Sequence, residues 1–357
     1  MDNNKYCVIM AGGIGSRFWP VSRSCMPKQF LDILGLGRTF IQLTYDRFSS
    51  IIPAENFYVV TNLAYKDLVK EQLPLIKEEN ILLEPLGRNT APCIAYAAFR
   101  IKAVNAQAEM IVTPADHLII MQDEFHKAIT QASDFVKNNH DALMTIGIKP
   151  TRPDTGYGYI QVESQDKISK VKTFTEKPKA EMAKIFMDSG EFMWNAGIFI
   201  WKVSSILKAL EEYQHETYSI FNAISEHYNT PQEQEAIGKV YSECRPISID
   251  FGVMEKAQNV YVLCSEFGWS DIGTWVALYQ HSQKDEKGNV APKKFLPYQT
   301  SDCIVKAPDD KLVVIQGLED YIVVDTEDTL MICPKKNEQN IKQYIDDARF
   351  NDYKDHI

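Results

Sequence analysis

Residues 6–30 read YCVIMAGGIGSRFWPVSRSCMPKQF. The apolar run YCVIMA shows no polar alternation and enters a glycine-rich turn directly. A continuous apolar strand is buried on both faces, as in parallel sheets covered by helices. Ligands of such sheets bind outside the carboxyl ends of the strands, where this turn falls. Gly12, Gly13 and Gly15 let the backbone turn tightly and present N–H groups to an anion. Arg17 and Lys28 follow. Arginine forks onto phosphate oxygens, and lysine sets a point charge beside them. Two familiar phosphate loops do not fit. GxGxxG would need glycine where Phe18 stands, and no GxxxxGK[ST] run is present. The same residues also suit a plain tight turn with two solvated cations.

The alternation continues outward from this stretch. FYVVT (57–61), NILLE (80–84), EMIVTPADH (109–117) and ALMTIGI (142–148) read as strands. Between them, residues 40–52, 63–76, 90–104 and 124–139 carry helical spacing. The expected fold is α/β: a Rossmann-like, mostly parallel mixed sheet flanked by helices. TGYGYIQVE (155–163) and SKVKTFTEKP (169–178) read as antiparallel strands. After the polar stretch 281–289 the pattern changes. DCIVKA, KLVVIQG, DYIVVDT and TLMICP recur roughly every ten residues with acidic or glycine turns between, the pattern of a small stacked β unit. The chain is therefore divided as 1–284, a large α/β domain, and 285–357, a small C-terminal domain.

The composition limits the classes of function. With 357 residues and 45% hydrophobic content the chain can bury a large core. A net charge of −10 argues against nucleic acid or an anionic membrane as partner, but not against a small phosphorylated ligand. No apolar run reaches the ~18 residues of a membrane helix, and the first residues lack a signal pattern. Seven scattered cysteines without CxxC argue against a zinc site or a disulfide framework. Free thiols in a reducing, cytoplasmic setting are expected.

Two aspartates invite a metal. Asp116 lies just past the end of an apolar strand, and Asp271 lies in GWSDIGTW. Phosphate ligands are commonly met by Mg²⁺ on a few carboxylates, with phosphate oxygens completing the shell. Read alone, both are also ordinary loop aspartates, one of them able to cap a helix. Thr90, before an alanine-rich helix with Pro92 in its first turn, is expected to be that helix's N-cap.

AGGIGSRFWPVSRSCMPKQF resembles the signature of the sugar-1-phosphate nucleotidyltransferases. Its form is nearest the mannose-1-phosphate guanylyltransferases, whose pattern is AGGxGxRLWPxSR…PKQF. Phe18 replaces the usual leucine. The resemblance implies GMP transfer from GTP to mannose 1-phosphate, with Mg²⁺ held by Asp116 and Asp271. It implies catalytic roles for Arg17, Lys28 and Lys177, the last meeting the sugar phosphate. Ala11, Gly12, Gly13, Gly15, Ser16, Glu84, Pro85, Asn89 and Asp116 would bind the nucleotide. Gly158, Glu176, Asn195 and Asp250 would bind the sugar. The tail resembles the family's short β-helix-like segment, and a homodimer is expected because few β repeats leave an apolar end uncovered. A transferase for another hexose 1-phosphate and a non-catalytic sugar-nucleotide-binding regulator of the same fold are the alternatives.

Overall fold

The computed structural model describes residues 3–357. The chain forms two compact units, each assembled from separate stretches. One holds the residues up to Gly12, Gln42–Ala115 and Ile119–Trp269; the other holds Gly13–Ile41, Asp116–Leu118 and Ser270–Ile357.

The first unit is built on nine strands: β1 Lys5–Ala11, β2 Phe57–Asn62, β3 Ile81–Glu84, β4 Glu109–Pro114, β5 Leu143–Ile148, β6 Gly158–Val162, β7 Ile168–Glu176, β8 Phe192–Lys202 and β9 Val260–Ser265. Their order is β3-β2-β1-β4-β8-β5-β9-β7-β6, and β6 also pairs with the start of β8. The pairings set seven strands in one direction, with β7 and β8 against them. This is the mostly parallel mixed sheet expected from the apolar strands, with β6 and β7 antiparallel as their turns suggested. β1 and β4 are neighbours in register from Lys5↔Glu109 to Met10↔Pro114. Their carboxyl ends therefore lie side by side. The helix Thr90–Lys102 buries Ala91, Ala95, Ala97 and Ala98 completely, small side chains that let it approach the sheet closely. Phe99, Phe221 and Tyr241 extend that core.

The second unit has its own core, in which Phe18, Ile33 and Phe40 join Trp275, Ile304, Ile322 and Ile341. The loop following β1 and the chain's last segment are therefore one packed body. A cut at 284 follows the chain; these contacts do not. The tail strands are β10 Phe295–Tyr298, β11 Ile304–Lys306, β12 Val313–Gln316, β13 Tyr321–Asp325 and β14 Leu330–Pro334. β10 pairs in parallel with β12, Phe295 opposite Val313, and β11 with β13, Ile304 opposite Ile322. Both pairs are offset by 18 residues. The ten-residue recurrence in the sequence is thus half a coil, and stacking joins every second strand. β14 turns back antiparallel on β13 and ends the coil. Among the described residues no helix is long and apolar enough to cross a membrane.

Candidate active site

The glycine-rich loop is shaped around Lys28. Ile14 accepts hydrogen bonds from the Lys28 amide at 3.1 Å and from Ser22 Oγ at 2.6 Å. Gly15 sits at φ 70°, and a Cβ there would overlap Lys28 Cβ. Glycine is required at this position twice over, for its dihedral and for its lack of bulk. Lys28 is only 3% exposed. Its ammonium donates to Asp116 Oδ2 at 2.9 Å, Asp116 O at 3.1 Å and Asp271 O at 2.7 Å. An ammonium carries three N–H donors, and all three are engaged. The cation also lies 5.6 Å from the Phe18 ring centre and 4.9 Å from that of Phe40. Phe18, the departure from the usual leucine, thus offers an aromatic face to the buried charge.

One lysine therefore ties together the two aspartates that stand 155 residues apart in the sequence. Burial pushes the Asp116 carboxyl up, but the charges of Lys28 and then His117, together with the hydrogen bonds the carboxylate accepts, hold the group below its ordinary value. Asp271 Oδ1 accepts from the Gly273 amide at 3.1 Å. Between them Ile272 has φ 41°, a strained conformation for a β-branched residue, and its side chain is wholly buried. That burial pins the turn carrying Asp271. Thr274, and not Asp271, caps the helix Trp275–His281. A cavity of about 280 Å³ is lined by Gly15, Arg17, Lys28, Asp116, Asp271 and Lys342, among others.

Among the described residues no three acidic, histidine or cysteine side chains cluster as a complete metal cage. Two carboxylates in one cavity, Asp116 half-exposed, instead suit Mg²⁺, which takes one or two carboxylates and fills its shell with water and phosphate oxygens.

The residues expected at the sugar lie together in the first unit. Asn195 Nδ2 donates to Asp250 Oδ1 at 2.9 Å, while its Oδ1 accepts from Thr145 Oγ1 at 3.0 Å and the Gly197 amide at 3.2 Å. Asn195 stays within β8, beside the register shift between Thr145 and Gly147, and makes no chain reversal. Gly158 pairs with Glu176, and a Cβ on it would collide with Glu176 Oε2. Lys177 is exposed and lies 3.0 Å from Glu176 Oε1. Burial, then the Glu176 charge, pushes Asp250 up to about 7.

The residues expected near the base are less uniform. Glu84 ends β3, is 6% exposed and accepts from the Tyr241 hydroxyl at 2.9 Å. A Cβ on Gly12 would come within 3.3 Å of its Oε2. Burial raises Glu84 to about 7, with Tyr241 pulling the other way. Pro85 is half-buried and Asn89 exposed. The expected cap is corrected: Asn89 accepts from the Thr90 amide at 2.8 Å and caps the helix, while Thr90 Oγ1 accepts from the Ile249 amide at 2.8 Å. Asn89 holds φ 68°, a region asparagine tolerates better than threonine.

Two residues went unread in the sequence. Lys342 comes from the helix Ile341–Phe350, where nothing local distinguishes it from a solvated lysine. Arg23, inside the signature, forks onto Asp328 and also meets Thr326 and Thr329. It is an anchor within the second unit.

Residues 6–288 match the family described as Nucleotidyl transferase, and residues 297–347 match a MannoseP isomerase/GMP-like beta-helix domain. The chain belongs to the nucleotidyl transferase family. This nucleotidyl transferase is 36% identical to a mannose-1-phosphate guanylyltransferase of Klebsiella pneumoniae, the match covering 98% of this chain and 75% of the relative. It is also 36% identical to the alginate biosynthesis protein AlgA of Pseudomonas putida, over 95% of this chain and 70% of that one. A crystal structure described as a mannose-1-phosphate geranyltransferase from Thermus thermophilus superposes with a TM-score of 0.88 at 27% identity, covering 97% of this chain and 99% of the other. The α/β fold and the β-helix-like tail are shared with that protein.

Proposed function

We propose that this nucleotidyl transferase moves GMP from GTP to α-D-mannose 1-phosphate, releasing pyrophosphate and forming GDP-mannose. The observation that carries the reading is the Lys28 ammonium bonded at once to Asp116 and Asp271, in a cavity also lined by Arg17. The named guanylyltransferase relatives support the choice of sugar and base. A sugar phosphate is already an anion, so its attack on the α-phosphorus needs no general base. The protein's work is to position and to neutralise charge. Asp116 and Asp271 would hold Mg²⁺, which when bound supplies Lewis-acid polarisation of phosphoryl oxygens. Amides of the Gly12–Ser16 loop and the Arg17 guanidinium hold the triphosphate. Lys28 fixes the two aspartates and adds positive charge beside them. Glu176, Asn195 and Asp250 take sugar hydroxyls, and Lys177 offsets the charge of the sugar phosphate. Glu84, Pro85 and Asn89 border the base.

A homodimer is part of the reading. Leu296 and Val314 face one another across β10 and β12 and are 45% and 57% exposed. Apolar strand faces of this kind serve contacts between chains.

The test is pyrophosphate release with Mg²⁺, pairing mannose 1-phosphate or glucose 1-phosphate with GTP, ATP, UTP or dTTP. Release confined to GTP with mannose 1-phosphate is expected. Release with another pair would retain the chemistry and discard the assigned specificity. No release with any pair, from folded protein, would leave a binding protein of the same fold.

A further inference from the structure

Besides His117, which lies against Asp116, the cavity of the second unit is lined by Lys28, Arg17 and Lys342, which differ in what they already hold. Lys28 has all three donors engaged by Asp116 and Asp271. Arg17 makes no ion pair among the described residues, and only its charge reaches the half-buried Glu338, which accepts from the Val276 amide. Its Nε is buried without a hydrogen-bond partner. Lys342 is exposed, and among the described residues it makes no ion pair or hydrogen bond. It is nevertheless held in place. Ile341 is fully buried, Ile345 is 9% exposed, and their helix packs on the turn Ser16–Phe18 that carries Arg17. With two residues of the helix anchored in the core, the side chain at 342 is aimed at the cavity.

We propose that Lys342, carried on the C-terminal helix, is a substrate-contacting cation that binds the β- and γ-phosphates of the nucleotide and the pyrophosphate leaving group. The inference rests on the transfer reaction proposed above. There the sugar-phosphate oxygen forms the new bond to the α-phosphorus. The bond from that phosphorus to the β-bridging oxygen breaks, and the electron pair leaves with pyrophosphate. The charge that grows on the leaving group needs a cation not already neutralised by the site's own carboxylates. Lys28 is engaged by Asp116, and Arg17 is already assigned to the triphosphate at the glycine-rich loop. Lys342 remains available, and as a point charge on a flexible stem it can follow the leaving group as it departs.

The experiment compares wild type with Lys342→Ala, Lys342→Arg and, as a charge control on the same helix, Arg349→Ala. It measures KM for each substrate, the inhibition constant of pyrophosphate, and calorimetric binding of magnesium pyrophosphate without turnover. Lys342→Ala is expected to weaken GTP and pyrophosphate by about tenfold, the scale of one lost charge-assisted hydrogen bond. KM for mannose 1-phosphate should stay within about twofold, a site of other residues being involved, and Lys342→Arg should recover most of the loss. Arg349→Ala should match wild type. Unchanged pyrophosphate affinity in Lys342→Ala overturns the inference. So does a Lys342→Arg variant as impaired as Lys342→Ala, since geometry and not charge would then be at stake. Failure of the wild type to release pyrophosphate would instead count against the transfer reaction, and pyrophosphate calorimetry would still decide the role of Lys342.

Discussion

Glu84 is the residue whose charge state the fold alters in a directly measurable way. Its carboxyl is raised from 4.5 to about 7 by burial, against the pull of the Tyr241 hydroxyl. The folded protein therefore keeps the proton longer than the unfolded chain. Below the unfolded value both states are protonated and nothing is lost. As pH rises from the unfolded value through the folded one, the unfolded chain ionises first and stability falls. Above the folded value the loss is complete, at about 3 kcal/mol for a shift of this size. Glu84→Gln removes the titration and keeps an acceptor for Tyr241. Urea unfolding should find the variant close to wild type at pH 4.5 and more stable by up to about 3 kcal/mol at pH 8. A difference that does not change with pH would refute the burial argument. The sequence marked Glu84 as a candidate ligand for the base, but nothing in ILLEP shows that Tyr241 would seal it. Burial is a property of what packs around a residue, and here the partner lies far along the chain.

At the scale of an element, the loop after β1 shows what a local reading reaches. Three glycines were legible as a phosphate-facing turn, yet they are not equivalent. Gly15 has φ 70° and abuts Lys28, whereas a Cβ on Gly13 meets nothing within 4 Å. Gly15→Ala should lower unfolding stability by about 1–2 kcal/mol for the left-handed conformation alone. It should lower kcat further by displacing Lys28 from Asp116. Gly13→Ala should stay within about 0.5 kcal/mol of wild type in stability. Melting curves of the pair test the claim, and equal losses would refute it. The strand, the turn and both cations could be read because they are local. The helix cap was misread for the same reason. Asn89 and Thr90 are adjacent and chemically alike, and what separates them is the Ile249 amide, which donates to the Thr90 hydroxyl oxygen. Arg23 was part of a recognisable motif, but its partner Asp328 lies 305 residues on.

At the scale of the whole molecule, the mostly parallel character of the sheet and the short-stranded tail followed from periodicity, since period and burial are coupled; the order of the strands did not, because pairing joins segments far apart in the chain. The packing units cut across the division at 284, which lies close to the boundary between the two matched families, because Phe18 and Phe40 share a core with Trp275 and Ile341 and no stretch of sequence records that. The same coil explains the last expectation. Side chains alternate along each strand of the coil, so β10 and β12 half-bury one set and expose Leu296, Tyr298 and Val314. A few coils cannot cover such a face themselves. If the face joins two chains, placing a lysine there strands an unpaired charge in an apolar contact, which association does not tolerate. Leu296→Lys with Val314→Lys should convert a dimer to a monomer in light scattering at micromolar concentration. The melting temperature of the separated chain should change little, because both side chains are exposed in the single chain. Wild type running as a monomer at that concentration, or a double variant that remains a dimer, would show that this strand face is not the contact.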